Sequence, residues 1–182
     1  MHGEFSRKFV HITVGSFVAF WPFFLNWYQI QLLSVAFLIC VAISKYFRIF
    51  QAIHSVQRPT WGEVFFAAAV GLITLVTQDK FIYAAALLQM SLADGLAAVI
   101  GVHLGRRNRY RLFGRTKSIA GTLTFFIVSL AILLALGHWH VVAHGFGYVL
   151  LISLLATALE NLAPDGLDNL AVPLLAVFML VK

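Results

Sequence analysis

The residue that most needs a chemical explanation is an acid in the middle of an apolar run. Asp94 sits in Ser91-Leu92-Ala93-Asp94-Gly95, inside a predominantly apolar stretch from 81 to 104. On a helix it lies about ten residues from the nearer charged loop, or about 15 Å at 1.5 Å per residue. An unpaired carboxylate at that depth of a bilayer costs at least about 2.5 kcal/mol, so such acids face a cavity or a partner. Ser91, Asp94, Gly95, Ala98, Gly101 and Gly105 share one face at three- and four-residue spacing. Side chains this small permit close helix packing or leave room for a ligand. The plain alternative is a buried, protonated structural Asp.

Two polar segments flank this stretch in charge if not in sequence. The segment from Gly105 to Ser118 carries six cationic side chains, Arg106, Arg107, Arg109, Arg111, Arg115 and Lys117. Alone it would serve as an anchor on anionic headgroups. However, it ends in Lys117-Ser118 where an apolar helix begins, so a cation, a hydroxyl and free backbone N–H groups meet the positive end of a helix dipole, which suits a phosphate. The second segment, Glu160-Asn161-Leu162-Ala163-Pro164-Asp165-Gly166-Leu167-Asp168-Asn169, offers several hard oxygen ligands. Mg²⁺ takes such ligands as one or two carboxylates together with substrate phosphates. A solvated loop with Asp168 as a helix cap is the competing reading.

The elements that must hold these residues are helices in lipid. The chain has 182 residues, is 61% hydrophobic and only 11% charged, with a mean hydropathy of +0.90. An ordinary soluble domain is about a quarter charged. We therefore expect an all-α, polytopic membrane protein forming a single domain over 1–182. A span needs about 20 apolar residues, and seven candidates satisfy this loosely: 9–27, 29–44, 63–78, 81–104, 119–136, 141–159 and 167–181. The third and seventh are short. With the N-terminus cytoplasmic, eleven of the thirteen Lys and Arg residues fall on that side, and only Lys80 and Lys182 fall opposite. This positive-inside bias predicts an N-inside, C-outside topology and accounts for the net charge of +6 without nucleic-acid binding. Acids gather at the same face: Glu4, Glu63, Glu160, Asp165 and Asp168, against Asp79 alone outside. Insertion rules do not require that, and it points to a polar site at the cytoplasmic face. The single cysteine, Cys40, excludes an intrachain disulfide.

Five segments, in order, resemble the family of CTP-dependent lipid-alcohol kinases, which includes phytol and dolichol kinases and is related to the phosphatidate cytidylyltransferases. Arg7-Lys8-Phe9-Val10-His11 with Gly15 resembles its R-K-x-x-H-x-x-x-G opening. Arg58-Pro59-Thr60-Trp61-Gly62-Glu63 resembles R-x-[ST]-x-G-E. Leu92 to Ala98 with Gly101 resembles G-D-G-x-A-x-x-x-G, Gly114 to Thr122 resembles G-x-x-K-S-x-x-G-[ST], and Asp168 to Pro173 resembles D-N-x-x-[VI]-P. Ala93 stands where the family often has Gly, and Ala120 where many members have Glu, so no acid at 120 takes part here. The short chain is expected of a phytol-kinase-type member rather than a dolichol kinase.

The resemblance implies phosphorylation of a long isoprenoid or other lipid alcohol by CTP with Mg²⁺, at the cytoplasmic face of an integral, multi-pass protein. In that reading Asp94, Glu160, Asp168 and Asn169 hold the metal. Arg7, Lys8, Arg58, Arg115, Lys117 and Ser118 bind the nucleotide, and Asp94 or Glu63 accepts the hydroxyl proton, with Lys117 assisting. The partners are CTP, the alcohol and membrane lipids, and a homo-oligomer is compatible with the sequence. The rival within the family is nucleotidyl transfer to a lipid phosphate. A small transporter would need a polar path continuing to the outer side, where charge is nearly absent.

Overall fold

A computed structural model of the chain describes residues 2–47, 61–137 and 145–181, with the side chains of residues 2–7, Lys45 and Gly137 excepted. Among the described residues the fold is mostly helical. The helices are α1 (His2–Ala19), α2 (Trp27–Phe47), α3 (Gly62–Val76), α4 (Lys80–Leu88), α5 (Asp94–His103), α6 (Ile119–Gly137), α7 (Phe146–Leu162) and α8 (Asp168–Leu180). An antiparallel hairpin, β1 (Arg109–Leu112) and β2 (Arg115–Ser118), adds strands that an all-α reading does not contain.

Helix boundaries follow local chemistry. The run predicted over 9–27 stops at Ala19, because Trp21-Pro22 opens a single 3₁₀ turn. Proline has no N–H to continue an α-helical ladder. Helix α2 then restarts behind a reciprocal cap: Gln29 N donates to Asn26 Oδ1 at 2.9 Å, and Asn26 N donates to Gln29 Oε1 at 3.0 Å. Asp79 caps α4 by accepting from Phe81 N and Ile82 N. Gly145, at φ +76°, precedes α7 and starts it at Phe146.

Among the described residues three helices are long and apolar enough to cross a bilayer: Trp27–Ser44, Lys80–His103 and Ile119–Leu136. Helices α3 (15 residues), α7 (17) and α8 (13) are shorter. At 1.5 Å per residue, α8 covers about 20 Å of a hydrocarbon core about 30 Å thick.

The Lys80–His103 helix, α4 and α5 joined by a π turn, is 61% buried over its apolar window, against 28% for Ile119–Leu136 and 17% for Trp27–Ser44. It is the central post of the bundle. Helices α1, α6 and α8 pack around it, α3 bridges α2 to α8, and α7 closes against α6 and α8. The core is apolar and includes Ile73, Tyr83, Met90, Phe125, Ile152 and Val177.

The small residues of the central helix divide between two partners. A Cβ on Gly95 would collide with Ile12 of α1, and one on Gly15 of α1 would collide with Ser91. Gly101 and Gly105 instead face Ser118, and Gly101 also meets Gly121 of α6. Of the two options that small side chains offer, close helix packing is the one realised here.

Candidate functional site

Alternation along the hairpin sorts the basic segment. Its turn is Phe113-Gly114, both at positive φ (46° and 76°), the backbone of a tight two-residue hairpin connection. Tyr110 pairs with Lys117 and Leu112 with Arg115, so these four share one face. That face turns inward. The Arg115 guanidinium donates to Ala163 O at 2.9 Å and to Asp165 Oδ1 at 2.5 Å, and Lys117 Nζ donates to Glu160. Tyr110 OH donates to Asn161 Oδ1 at 2.5 Å. Arg109 and Arg111 lie on the opposite face and are exposed, as are Arg106 and Arg107. The hairpin therefore lies across the α7–α8 connection and carries two of its four cations into it.

That connection is shaped by two residues in the left-handed region, Asp165 (φ 49°) and Gly166 (φ 89°). A Cβ on Gly166 would lie 2.6 Å from Gly62 Cα and 2.7 Å from Gly62 N. Trp61 N donates to Asp165 O at 3.2 Å, and Asn169 Nδ2 donates to Gly62 O at 3.0 Å. The start of α8 is thus fastened to the start of α3. Gly166→Ala is expected to strain the backbone and part these helix ends, lowering stability by about 1–3 kcal/mol. Thermal unfolding of the purified variant measures this.

At the centre, one carboxylate oxygen each from Asp94, Glu160 and Asp168 lies within 4.8 Å of the other two. The first residue of α8 and the last turn of α7 thus bring their carboxylates to Asp94 on the central helix. Lys8 of α1 donates to Asp94 Oδ2 at 2.5 Å, and Lys117 pairs with Glu160. Glu160 is buried beside them, as is Asp94. Two ammonium groups thus face three carboxylates, and a buried oxygen of Asp168, Oδ1, has no hydrogen-bond partner among the described residues.

Three carboxylates this close repel by roughly 3–4 kcal/mol per pair at an effective dielectric of about 20, and the lysines offset part of that. The donor set is all oxygen, carries one negative charge more than its cations, and holds an unpartnered buried oxygen. Those are the features of a site for a hard divalent cation, and Mg²⁺ fits it.

The π turn Gln89–Ala93 explains a residue that motif spacing alone did not place in the site. Asp94 N–H bonds Gln89 O, five residues back, so the carbonyl of Met90 is released from the usual four-residue ladder. His11 Nε2 lies 3.2 Å from Met90 O and 3.9 Å from Asp94 Oδ2. A carbonyl only accepts, so Nε2 carries the proton. Lys8, His11 and Gly15, at three- and four-residue spacing on α1, face the central helix together, and that periodicity was the available signal. Asn161 was likewise missed. Its Oδ1 accepts from Tyr110 OH and, at 3.1 Å, from Thr122 Oγ1, bracing the hairpin against α7.

The other sequence candidates take different places. Asn169 follows Asp168, with its amide held by Gly62. Ser118 is buried between α5 and α6: its Oγ accepts from Gly121 N at 3.1 Å and lies 3.4 Å from Gly101 O. That hydroxyl fixes the strand-to-helix junction just after Lys117. Glu63 occupies the first turn of α3, half-buried, and is not one of the three converging carboxylates. Arg7 lies in α1, its side chain outside the described part, and Arg58 lies outside the described residues.

The sequence is similar to phytol kinase of Synechocystis sp., with 32% identity over 184 residues, covering 94% of this chain and 76% of that protein. No family model matches the chain, and no solved structure matches it.

Proposed function

The chain belongs to the phytol kinase family, and from that premise we propose that it moves the γ-phosphoryl group of CTP to the hydroxyl of a long-chain isoprenoid alcohol. The observation that carries this reading is the convergence of Asp94, Glu160 and Asp168 between two lysines. These three carboxylates, with Asn169 beside them, would hold Mg²⁺, which when bound neutralises charge on the triphosphate oxygens.

Phosphoryl transfer asks mainly for positioning and charge neutralisation. Lys8 and Lys117 stand at the carboxylates with ammonium groups that reach phosphate oxygens, and Arg115 is held at the rim by Asp165 and Ala163 O. Arg7 and Arg58 complete the proposed nucleotide-binding set. Ser118 contributes by orienting Lys117. The alcohol oxygen attacks the γ-phosphorus, CDP leaves with the bridging oxygen, and the hydroxyl proton passes to Asp94 or Glu63. Asp94 stands in the cluster, whereas Glu63 stands one turn above the apolar side of α3.

We place the site at the cytoplasmic face of a multi-pass protein with seven spans, N-terminus inside. Two observations support this: eleven of thirteen cations fall on that side, and the starts of α3, α6 and α8 meet the end of α7 at one end of the bundle.

Purified protein given [γ-³²P]CTP with both a long-chain prenyl alcohol and a lipid phosphate is expected to place the label in the alcohol. Label recovered in pyrophosphate, with the cytidylyl group on lipid phosphate, would instead make the reaction nucleotidyl transfer.

A further inference from the structure

A groove of about 360 Å³ runs between α1, α2 and α3 and is lined almost wholly by apolar side chains, among them Val14, Val18, Phe37, Cys40, Phe66 and Val70. Its volume falls in the range of about 300–1,000 Å³ typical of small-molecule sites. The groove adjoins the carboxylate site. Phe66, in its wall, meets the His11 ring edge-on with centroids 5.6 Å apart, and His11 Nε2 is 3.9 Å from Asp94 Oδ2.

Both inner walls run from polar to apolar in the same chain direction. On α1 the stripe Lys8, His11, Val14, Val18, continued by Trp21 in the next turn, runs from cationic to apolar at helical spacing. On α3, Glu63 precedes Phe66, Ala67 and Val70 in the same way. Helix α2 forms the third wall with apolar side chains.

We propose that this groove binds the hydrocarbon chain of the alcohol substrate, with the chain lying along α1 toward Trp21 and the hydroxyl emerging beside His11 and Asp94. An amphiphile with one small polar end and a long apolar body matches a cleft that is polar at one end and apolar along the rest. A diacyl phospholipid would bring a second chain and a large headgroup, neither of which the single apolar groove beside His11 calls for. The proposal rests on the kinase reading for the identity of the ligand and makes a separate claim about where that ligand sits.

The test uses the whole protein in lipid nanodiscs with a prenyl alcohol bearing a diazirine along its chain. Photolysis is expected to label peptides covering 14–21, 33–40 and 66–70, with labelling displaced by unlabelled prenyl alcohol and not by added phosphatidylcholine. Labelling elsewhere, or equal displacement by phosphatidylcholine, overturns the proposal, the second because the groove then holds bilayer chains.

A kinetic arm uses Val14→Trp and Ala36→Trp, which fill the groove from two walls. The ratio of kcat/KM for a long prenyl alcohol to that for a short, water-soluble one is expected to fall at least about tenfold, as buried methylenes are lost. An unchanged ratio counts against the groove. If the groove is labelled but wild-type protein phosphorylates no alcohol, the kinase reading fails and the binding site stands. If alcohols are phosphorylated without groove labelling, the reverse holds.

Discussion

Asp94→Asn is expected to lower kcat for alcohol phosphorylation by about 10³-fold or more, the scale set by removing a charge that organises a transition state. The substitution keeps size and removes one of three negative charges that meet within 4.8 Å. It also removes a carboxylate charge 2.5 Å from the Lys8 ammonium and 3.9 Å from His11 Nε2. The fold is expected to survive, because the Lys8 side chain is 24% exposed and its ammonium can turn toward water, while the asparagine amide still finds polar neighbours. Full activity in this variant would remove Asp94 from both the metal-binding and proton-accepting roles.

Lys117→Met has the second-largest expected effect, and it acts on stability and activity together. Glu160 is buried, with its side chain 7% exposed, and Lys117 is its ion-pair partner. Removing one member of a buried pair leaves the other charge uncompensated, at about 3 kcal/mol. We expect kcat/KM for CTP to fall about a hundredfold as well, since Lys117 is the cation that the hairpin delivers to the carboxylates. The double variant Lys117→Met/Glu160→Gln separates the two effects. Its thermal stability is expected to recover toward wild type, while its activity stays at the single-variant level. Recovery of both would make Lys117 a structural partner of Glu160 and nothing more.

Much of this arrangement was legible in the sequence, for identifiable reasons. Charge depletion and the position of Asp94 within an apolar run announce a helical membrane protein with a polar site, because both follow from the energetics of lipid as a solvent. The order of Asp94, Lys117 and Asp168 along the chain, each at a helix boundary or within a span, brought the metal and nucleotide candidates together before any geometry was available. The kinship to phytol kinase agrees with the family resemblance drawn from the five motifs.

The rest depended on features that residue type does not reveal. A run of six cations reads as one basic loop until the Phe113-Gly114 turn sets its register, and only then does alternation send Arg115 and Lys117 inward and Arg109 and Arg111 outward. The role of His11 depends on one extra residue in the π turn, which frees Met90 O; nothing in Gln89 to Ala93 signals a widened turn. Ser118 has the right chemistry for a ligand, yet tertiary packing gives its hydroxyl to Gly121, and at Asn169 it is the amide nitrogen that is given to Gly62. The first helix stops short of the predicted 27 because Trp21-Pro22 opens a 3₁₀ turn, and a proline after an aromatic pair is a fair stop signal. The Asn26 and Gln29 side chains form the cap that starts α2 at Trp27, two residues before the predicted 29.

Asp94, Glu160 and Asp168 are proposed to form the divalent-cation site that serves the nucleotide. Mn²⁺ binding followed by electron paramagnetic resonance, in the presence of CTP, tests it without relying on turnover. Wild-type protein is expected to bind Mn²⁺ in a CTP-dependent manner, with Asp94→Asn and Asp168→Asn each weakening that binding by at least about tenfold. Mn²⁺ binding of wild-type strength in both variants would contradict the account.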